Sequence, residues 1–375
     1  MLFSKRFIAG CMILLCSLLP LASAEEVVVT NAFFDVSAEK QSTTDAQTPA
    51  QTPAQTPQEI LITAVGDVTL GGNMRKNPKA TIYTEEFNAR GGDFGFPFRN
   101  VRDLFSQDDM TLANFEGVLT DTEEGNNNEF QFRIAPAHVQ ALTLGGVEAV
   151  SLENNHVMDF GEQGYADTVT ALQGQGIVYS NKTTCGVFTT AQGVQIAMLS
   201  YQTFNGAYPD LHERVPRDVA QAKTQYPIVI VSFHWGEEKD YAPNDRQVEL
   251  GHATIDAGAD LVLGHHSHRI NPIEQYKGKY IVYSLANFSF SGNIRPSDMD
   301  TFIFQQKFRI VDGKAESGEF RILPARVSSV PDINDFAPTP YEKDSEGFRR
   351  VLDRLQKEGK KLSYAVDAYP TEWPQ

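Results

Sequence analysis

The chain has 375 residues, 41% of them hydrophobic, with 28 Gly and 19 Pro: a globular, turn-rich composition, long enough for one large α/β domain with an appendage. Its formal net charge of −16 sets up a mean field that repels polyanions, which excludes a general nucleic-acid binder or a binder of anionic membranes. A local cationic patch or a metal site is compatible with that charge and becomes necessary if the partner is itself anionic.

The first 24 residues read as a secretory signal, with Lys5 and Arg6 as a basic start, an apolar core, and Ala22-Ser23-Ala24 as the cleavage site. The apolar core is shorter than the roughly 20 residues a membrane span needs. Export to the periplasm, the outer cell surface or the medium is expected, and an uncleaved inner-membrane anchor is the alternative. Cleavage removes Cys11 and Cys16 and leaves Cys185 alone, so no internal disulfide is expected and Cys185 reads as a buried small hydrophobe. Residues 25–58 contain Gln47-Thr48-Pro49-Ala50, repeated at 51–54, a Pro/Thr/Gln tract with nothing to bury and the character of an extended linker. A domain over 59–330 and a C-terminal extension with a helix over 331–375 complete the expected organisation.

Within the domain the predicted elements alternate. Residues 60–65 form a buried strand that stops at Gly66-Asp67, and 98–107 form a helix. A strand over 111–113 runs into Asn114-Phe115-Glu116, a helix covers 136–144, and a strand over 149–152 ends at Glu153-Asn154-Asn155-His156. A helix over 161–175 and a short strand at 178–179 follow, then a β-rich patch at 187–201 and an irregular, Pro-containing loop over 205–217. Residues 228–233 are the clearest strand and end at His234-Trp235-Gly236; a helix over 245–257 then leads to a strand at 261–263. That strand stops at Gly264 and presents His265, His266 and His268. A strand over 280–285, a hairpin over 301–327 around Asp312-Gly313, and a helix over about 345–361 close the chain. Buried strands alternating with helices predict an α/β core, and the hairpin patches predict mixed sheets.

Five predicted strands end at metal-competent or proton-handling groups: Asp67; Asn114 with Glu116; Asn155-His156; His234; and the 265–268 cluster. Ligands of open α/β sheets bind outside the carboxyl ends of the strands. Carboxylate, amide oxygen and neutral imidazole together make a mixed O/N site suited to Zn²⁺, Mn²⁺ or Fe²⁺ rather than Ca²⁺, and two ions sharing a carboxylate would activate water for phosphoester hydrolysis. His138, His212 and His252 lack such a context and read as structural or exposed.

The motifs that carry these residues resemble the CapA family of poly-γ-glutamate capsule biosynthesis proteins, within the calcineurin-like metallophosphatase superfamily. They are Gly66-Asp67 with Leu70-Gly71, Asn114-x-Glu116 with Thr120, and Asn154-Asn155-His156-x-x-Asp159-x-Gly161. His234-Trp235-Gly236-x-Glu238, Gly258-Ala259-Asp260, Gly264-His265-His266-x-His268 and Tyr283-Ser284-Leu285-x-Asn287-Phe288 continue the series, so that the resemblance spans about 60–292. It implies a four-layer α/β/β/α sandwich with the site at the strand ends. It implies Asp67, Asn155, His234, His266 and His268 as metal ligands, with His265 beside them. His156 falls at the catalytic histidine near the leaving group, and Asn114 and Glu116 fall in the bridging segment. The superfamily's opening Asp-x-His is here Asp67-Val68-Thr69, Ser267 replaces a common Pro, and Ala286 a common Gly.

The expected function is an exported divalent-metal-dependent hydrolase acting in synthesis, export or anchoring of poly-γ-glutamate or a related anionic extracellular polymer. Asp67 and Glu116 would serve the metal, with His156 as acid or orienting donor. The alternatives are a non-catalytic polymer-binding or export subunit on a degenerate fold, and an amide hydrolase acting on a glutamate-containing polymer or cell-wall peptide. The expected partners are the polymer or its precursor and envelope-associated biosynthesis or export proteins, with no nucleic acid.

Overall fold

The computed structural model describes residues 30–33, 58–76, 81–204 and 208–374; the expected signal segment, Cys11, Cys16 and nearly all of the 25–58 tract lie outside the described residues. Two large mixed sheets dominate. One runs, edge to edge, Thr30–Phe33, Thr184–Thr189, Gln195–Gln202, Ile228–His234, Leu261–His265, Lys279–Val282 and Ile273–Tyr276. The other runs Thr339–Pro340, Lys314–Arg326, Asp300–Val311, Gln58–Thr69, Met110–Phe115, Ala149–Ser151 and Val178–Ser180, with Asn287–Phe290 alongside Gln58–Thr69.

Strand periodicity explains how they stack. Successive side chains leave a strand on opposite faces. Ile60, Ile62 and Ala64 of one sheet and Ile196, Met198, Ile228, Ile230, Leu261 and Leu263 of the other therefore meet in one core between the sheets. The alternate residues Val229, Val231, Phe233 and Val262 turn outward, onto Leu211, Val215, Val219 and Leu250 of two helices. On the far side, Val65, Val68, Ala113 and Val150 pack under Tyr83, Phe98, Phe105 and Leu172. Helices outside, two sheets inside: this is the expected four-layer sandwich.

Three local expectations change. Residues 208–217 belong to a helix, Tyr208–Lys223, rather than to an irregular loop, with Pro216 inside it. Leu211, Val215, Val219 and Ala222 recur at helical spacing and bury as one stripe, which outweighs the single backbone hydrogen bond that Pro216 cannot make. The helix over 98–107 is a 3₁₀ turn at Phe96–Phe98 followed by a short helix at Arg102–Phe105, because Phe96, Phe98 and Phe105 all turn toward the same core. A further helix, Ile82–Ala89, is capped by Thr81, whose side chain accepts from Thr84 N.

The C-terminal helix Glu346–Gly359 starts at Ser345, whose hydroxyl accepts from Phe348 N, and inserts Val351 and Leu355 into the core between the sheets. Beyond it, Pro370 O accepts from Ile322 N, and the Tyr369 hydroxyl accepts from Ile273 N. The segment thus ties Ile273–Tyr276 of one sheet to Lys314–Arg326 of the other. Among the described residues no helix is long and apolar enough to cross a membrane.

Candidate metal centre at the strand ends

Parallel pairing aligns strand ends that are far apart in sequence. In one sheet the register sets Asn287 beside Asp67, Asp67 beside Asn114, and Asn114 beside Ser151. In the other it sets Gln202 beside His234 and His234 beside His265. The two rows face each other across the mouth of the sandwich. This convergence brings together every residue named as a candidate from the sequence.

Asp67, Glu116 and His268 offer ligand atoms that all lie within 4.8 Å of one another. Asp67 Oδ1 accepts from Asn114 Nδ2 at 2.9 Å and lies 3.4 Å from His265 Nδ1, while Oδ2 lies 3.4 Å from His268 Nδ1. Glu116 Oε1 is 3.6 Å from His234 Nε2 and 3.9 Å from His156 Nε2. His234 Nε2 donates to Asn155 Oδ1 at 2.7 Å and lies 3.1 Å from His266 Nδ1. Asn154 sits behind this array, donating to Phe115 O at 2.8 Å and to Asn114 Oδ1 at 3.3 Å.

Burial makes these contacts consequential. Asp67 and Glu116 are 0% exposed, and Asp67 Oδ2, both Glu116 oxygens and both His265 ring nitrogens have no hydrogen-bond partner among the described residues. A buried carboxylate without partners is among the costliest groups a fold can carry. Burial opposes ionisation of Asp67, but the close imidazoles of His265 and His268 outweigh it and hold the carboxyl well below its usual range. Burial and the Asp67 charge push Glu116 up to about 7, against the pull of His268 and His156. Burial works against a charged His268, yet Glu116 and Asp67 raise it to about 9. His268 is thereby the cation that faces both carboxylates. Burial and the neighbouring imidazoles depress His234 strongly and His266 to about 4, which keeps both in the neutral, metal-ligating form.

The donor set fits a transition-metal ion: two carboxylates with unused oxygens, neutral imidazoles, and an amide oxygen. Ligand atoms about 2.1 Å from one ion stand roughly 3.0–3.4 Å apart, and the 3.4 Å and 3.6 Å separations above are close to that range.

Backbone geometry explains the glycines and the departures. A Cβ on Gly66 would stand 1.9 Å from Ala286 O, and one on Gly264 would stand 2.0 Å from Tyr283 O and 2.5 Å from Trp235 Nε1. Both glycines let a neighbouring backbone approach the strand end that carries a site residue. Ala286 sits at φ 62°, the left-handed region that favours glycine. His266 and His268 also have positive φ, 90° and 53°. The His268 turn is held by Arg269, a buried guanidinium that donates to His268 O at 2.7 Å and to Ser297 Oγ at 2.8 Å. Thr69, two residues beyond Asp67, is buried, and its hydroxyl has no partner among the described residues.

His156 stands at the edge of the array. Its Nδ1 pairs with Asp159 Oδ2 at 2.8 Å, which also accepts from Phe132 N at 2.9 Å, so Asp159 orients the imidazole as well as shaping the turn. Burial opposes protonation of His156, but the Asp159 bond and the Glu116 charge prevail and raise it. Four groups went unassigned in the sequence. Asn287 Oδ1 lies 2.7 Å from His268 Nδ1, Phe132 packs 4.5 Å from the His156 ring, Phe290 5.2 Å from His268, and Phe204 4.3 Å from His266. Asn287 lay inside a quoted motif; the phenylalanines had no signal of their own. His138 is buried among Tyr83, Phe87 and Phe94, and His252 pairs with Glu274, both away from the centre. Cys185 is buried, and it is unpaired among the described residues.

Comparison with known proteins follows the same outline. A CapA protein of PGA biosynthesis from Bacillus subtilis (strain 168) is 30% identical over 332 residues, 81% of each chain. The capsule biosynthesis protein CapA of Bacillus anthracis is 29% identical over 259 residues, 62% of this chain and 60% of that one. A probable polyglutamine synthesis accessory protein of Mycobacterium tuberculosis is 34% identical over 204 residues, 47% of this chain and 54% of that one. Among solved structures, a phosphatase from Mycoplasma pneumoniae covers 75% of this chain and 96% of its own, with 12% identity and a TM-score of 0.44. The family described as bacterial capsule synthesis protein PGA_cap matches residues 61–291, an interval that holds the whole array from Asp67 to Asn287, and this chain belongs to that family.

Proposed function

We propose that this protein is an exported, metal-dependent hydrolase that acts on poly-γ-glutamate or a related anionic extracellular polymer during its synthesis, export or anchoring. The observation that carries the reading is Glu116, a fully buried carboxylate with neither oxygen bonded, beside the equally unpartnered Asp67 Oδ2 and His268. The polymer comes from the family and from the CapA relatives named above. Export rests on the character of residues 1–24.

Asp67, Glu116 and His268 would hold the ion, with His234, His266 and Asn155 completing its surroundings and His265 braced on Asp67. A bound divalent ion supplies a water of lowered pKa and a counter-charge for a developing oxyanion. The chain supplies the remainder. Asp159 fixes the imidazole of His156 and favours its protonated form, so His156 presents a proton at Nε2 for the leaving group. Phe132, Phe204 and Phe290 wall the mouth and limit water around the reacting bond.

Metal analysis of the anaerobically purified protein, with hydrolysis assays on an aryl phosphoester and on an oligo-γ-glutamyl amide, tests the reading. Stoichiometric Zn, Mn or Fe with turnover of either substrate is expected, and the substrate cleaved separates phosphoester from amide chemistry. Absence of both metal and turnover sinks the hydrolase. One observation favours a second reading, a non-catalytic polymer-handling subunit: Thr69 stands where the superfamily has a ligand. Asp67→Ala and His268→Ala proteins that retain a full polymer phenotype would establish it.

A further inference from the structure

On the same carboxyl-end edge as the centre, the chain gathers cations that the centre does not use. A groove of about 380 Å³ is lined by Lys182, Arg214, Arg217, Tyr201 and Thr183, with Asp218 its one carboxylate. Asp218 is shared between Arg217, at 3.0 Å, and Arg214, at 3.4 Å, while also accepting from the Tyr201 hydroxyl at 3.1 Å. A single carboxylate against three cations leaves the lining positive, in a protein whose net charge is −16.

Two links join the groove to the centre. Glu153 fastens the two, accepting from Lys182 N at 2.9 Å and from Gln202 Nε2 at 2.7 Å, and it precedes Asn154 and Asn155 in the chain. From Tyr201 on the groove wall the chain passes through Gln202 and Thr203 to Phe204, against His266. Three residues span at most about 11 Å. Along that path Gln202, its amide nitrogen held by Glu153, leaves its Oε1 buried and without a partner among the described residues, an acceptor for an N–H donor.

We propose that this groove is a subsite for a chain bearing repeated carboxylates and amide N–H groups, threaded from Lys182, Arg214 and Arg217 past Gln202 to the metal centre. The inference rests on the reading of the centre as a polymer hydrolase and adds where the uncleaved part of the substrate lies. The physics favours a local device. At physiological salt, charges act over about 8 Å, so the overall negative field is screened while the groove's cations act on whatever lies within it.

The test uses the full chain, stripped of metal, and a fluorescent oligo-γ-glutamate of about ten residues, a length of the order of the groove plus the path to the centre. Anisotropy should show binding that weakens about tenfold or more in the Lys182→Glu/Arg217→Glu double variant, with a shallower dependence on salt. Lys314→Glu, at a distant exposed hairpin turn, should leave binding unchanged. In the metal-loaded protein the double variant should raise KM for the oligomer and leave turnover of a small aryl substrate intact. Equal binding by wild type and double variant, equal weakening by Lys314→Glu, or no binding by wild type overturns the subsite. Hydrolysis of the oligomer with an unchanged KM in the double variant removes the subsite and leaves the hydrolase standing. Groove-dependent binding without hydrolysis of any substrate does the reverse.

Discussion

Glu116 and Glu274 are both 0% exposed, and both lie beside histidine, yet the fold treats them in opposite ways. Glu274 is fully met: Oε1 accepts from Tyr364 N at 3.0 Å, and Oε2 accepts from the Tyr283 hydroxyl at 2.7 Å and from His252 Nε2 at 2.8 Å. Glu116 has no hydrogen bond at either oxygen among the described residues. A buried carboxylate with both oxygens engaged is part of the framework, here joining a helix, an edge strand and the C-terminal segment. One left open at a strand-end cleft is an unmet charge, and folds keep such groups where something binds.

Glu274→Ala gives the largest expected effect. It strands His252, the Tyr283 hydroxyl and Tyr364 N together, and should destabilise the protein by about 3–5 kcal/mol, read as a lowered midpoint in denaturant, with metal affinity unchanged. Glu116→Gln should do the converse. Metal affinity measured by calorimetry should fall about 100-fold, equivalent to about 2.7 kcal/mol. The metal-free variant should be at least as stable as wild type, because it no longer buries a carboxylate without hydrogen bonds. Equal destabilisation by the two variants would break the distinction between them.

Asp335 sharpens it with a third carboxylate of the satisfied kind. Its oxygens accept from Arg99 at 2.7 Å, Ser328 Oγ at 3.0 Å and Ser329 N at 2.8 Å. Burial opposes its ionisation, but the bonds from Ser329, Arg99 and Ser328 hold its pKa down to about 2 from 3.8. A lowered acid stabilises the fold above its unfolded value, and that contribution is lost as pH falls through the folded one. Asp335→Asn should therefore cost about 2 kcal/mol at pH 7. Thermal melts of wild type and variant should converge between about pH 4 and pH 2.

Much of the centre was legible because its residues sit directly after apolar runs, where chain order alone marks a strand end. Asp67, Asn155, His234 and the 265–268 cluster could be read in this way, and the family order of the motifs supplied the sandwich. Other features had no local sign. The helix Tyr208–Lys223 hid behind Pro216, because a proline argues locally against a helix while the buried stripe that sustains it needs a sheet beneath. Asp159 had no local sign of its role either: only the fold brings the His156 ring and Phe132 N to one carboxylate oxygen.

The sequence by itself determined which residue types stand at the strand ends, which faces of the strands are apolar, and which family the chain joins. These are properties of order and period, and they survive without coordinates. Only the tertiary structure decided that Glu116 is unpartnered while Glu274 is satisfied, and that Asn287 reaches His268. It also decided that Lys182, Arg214 and Arg217 line one groove beside the centre. Whether a buried charge is met depends on groups brought from distant parts of the chain, and no spacing along one strand records them.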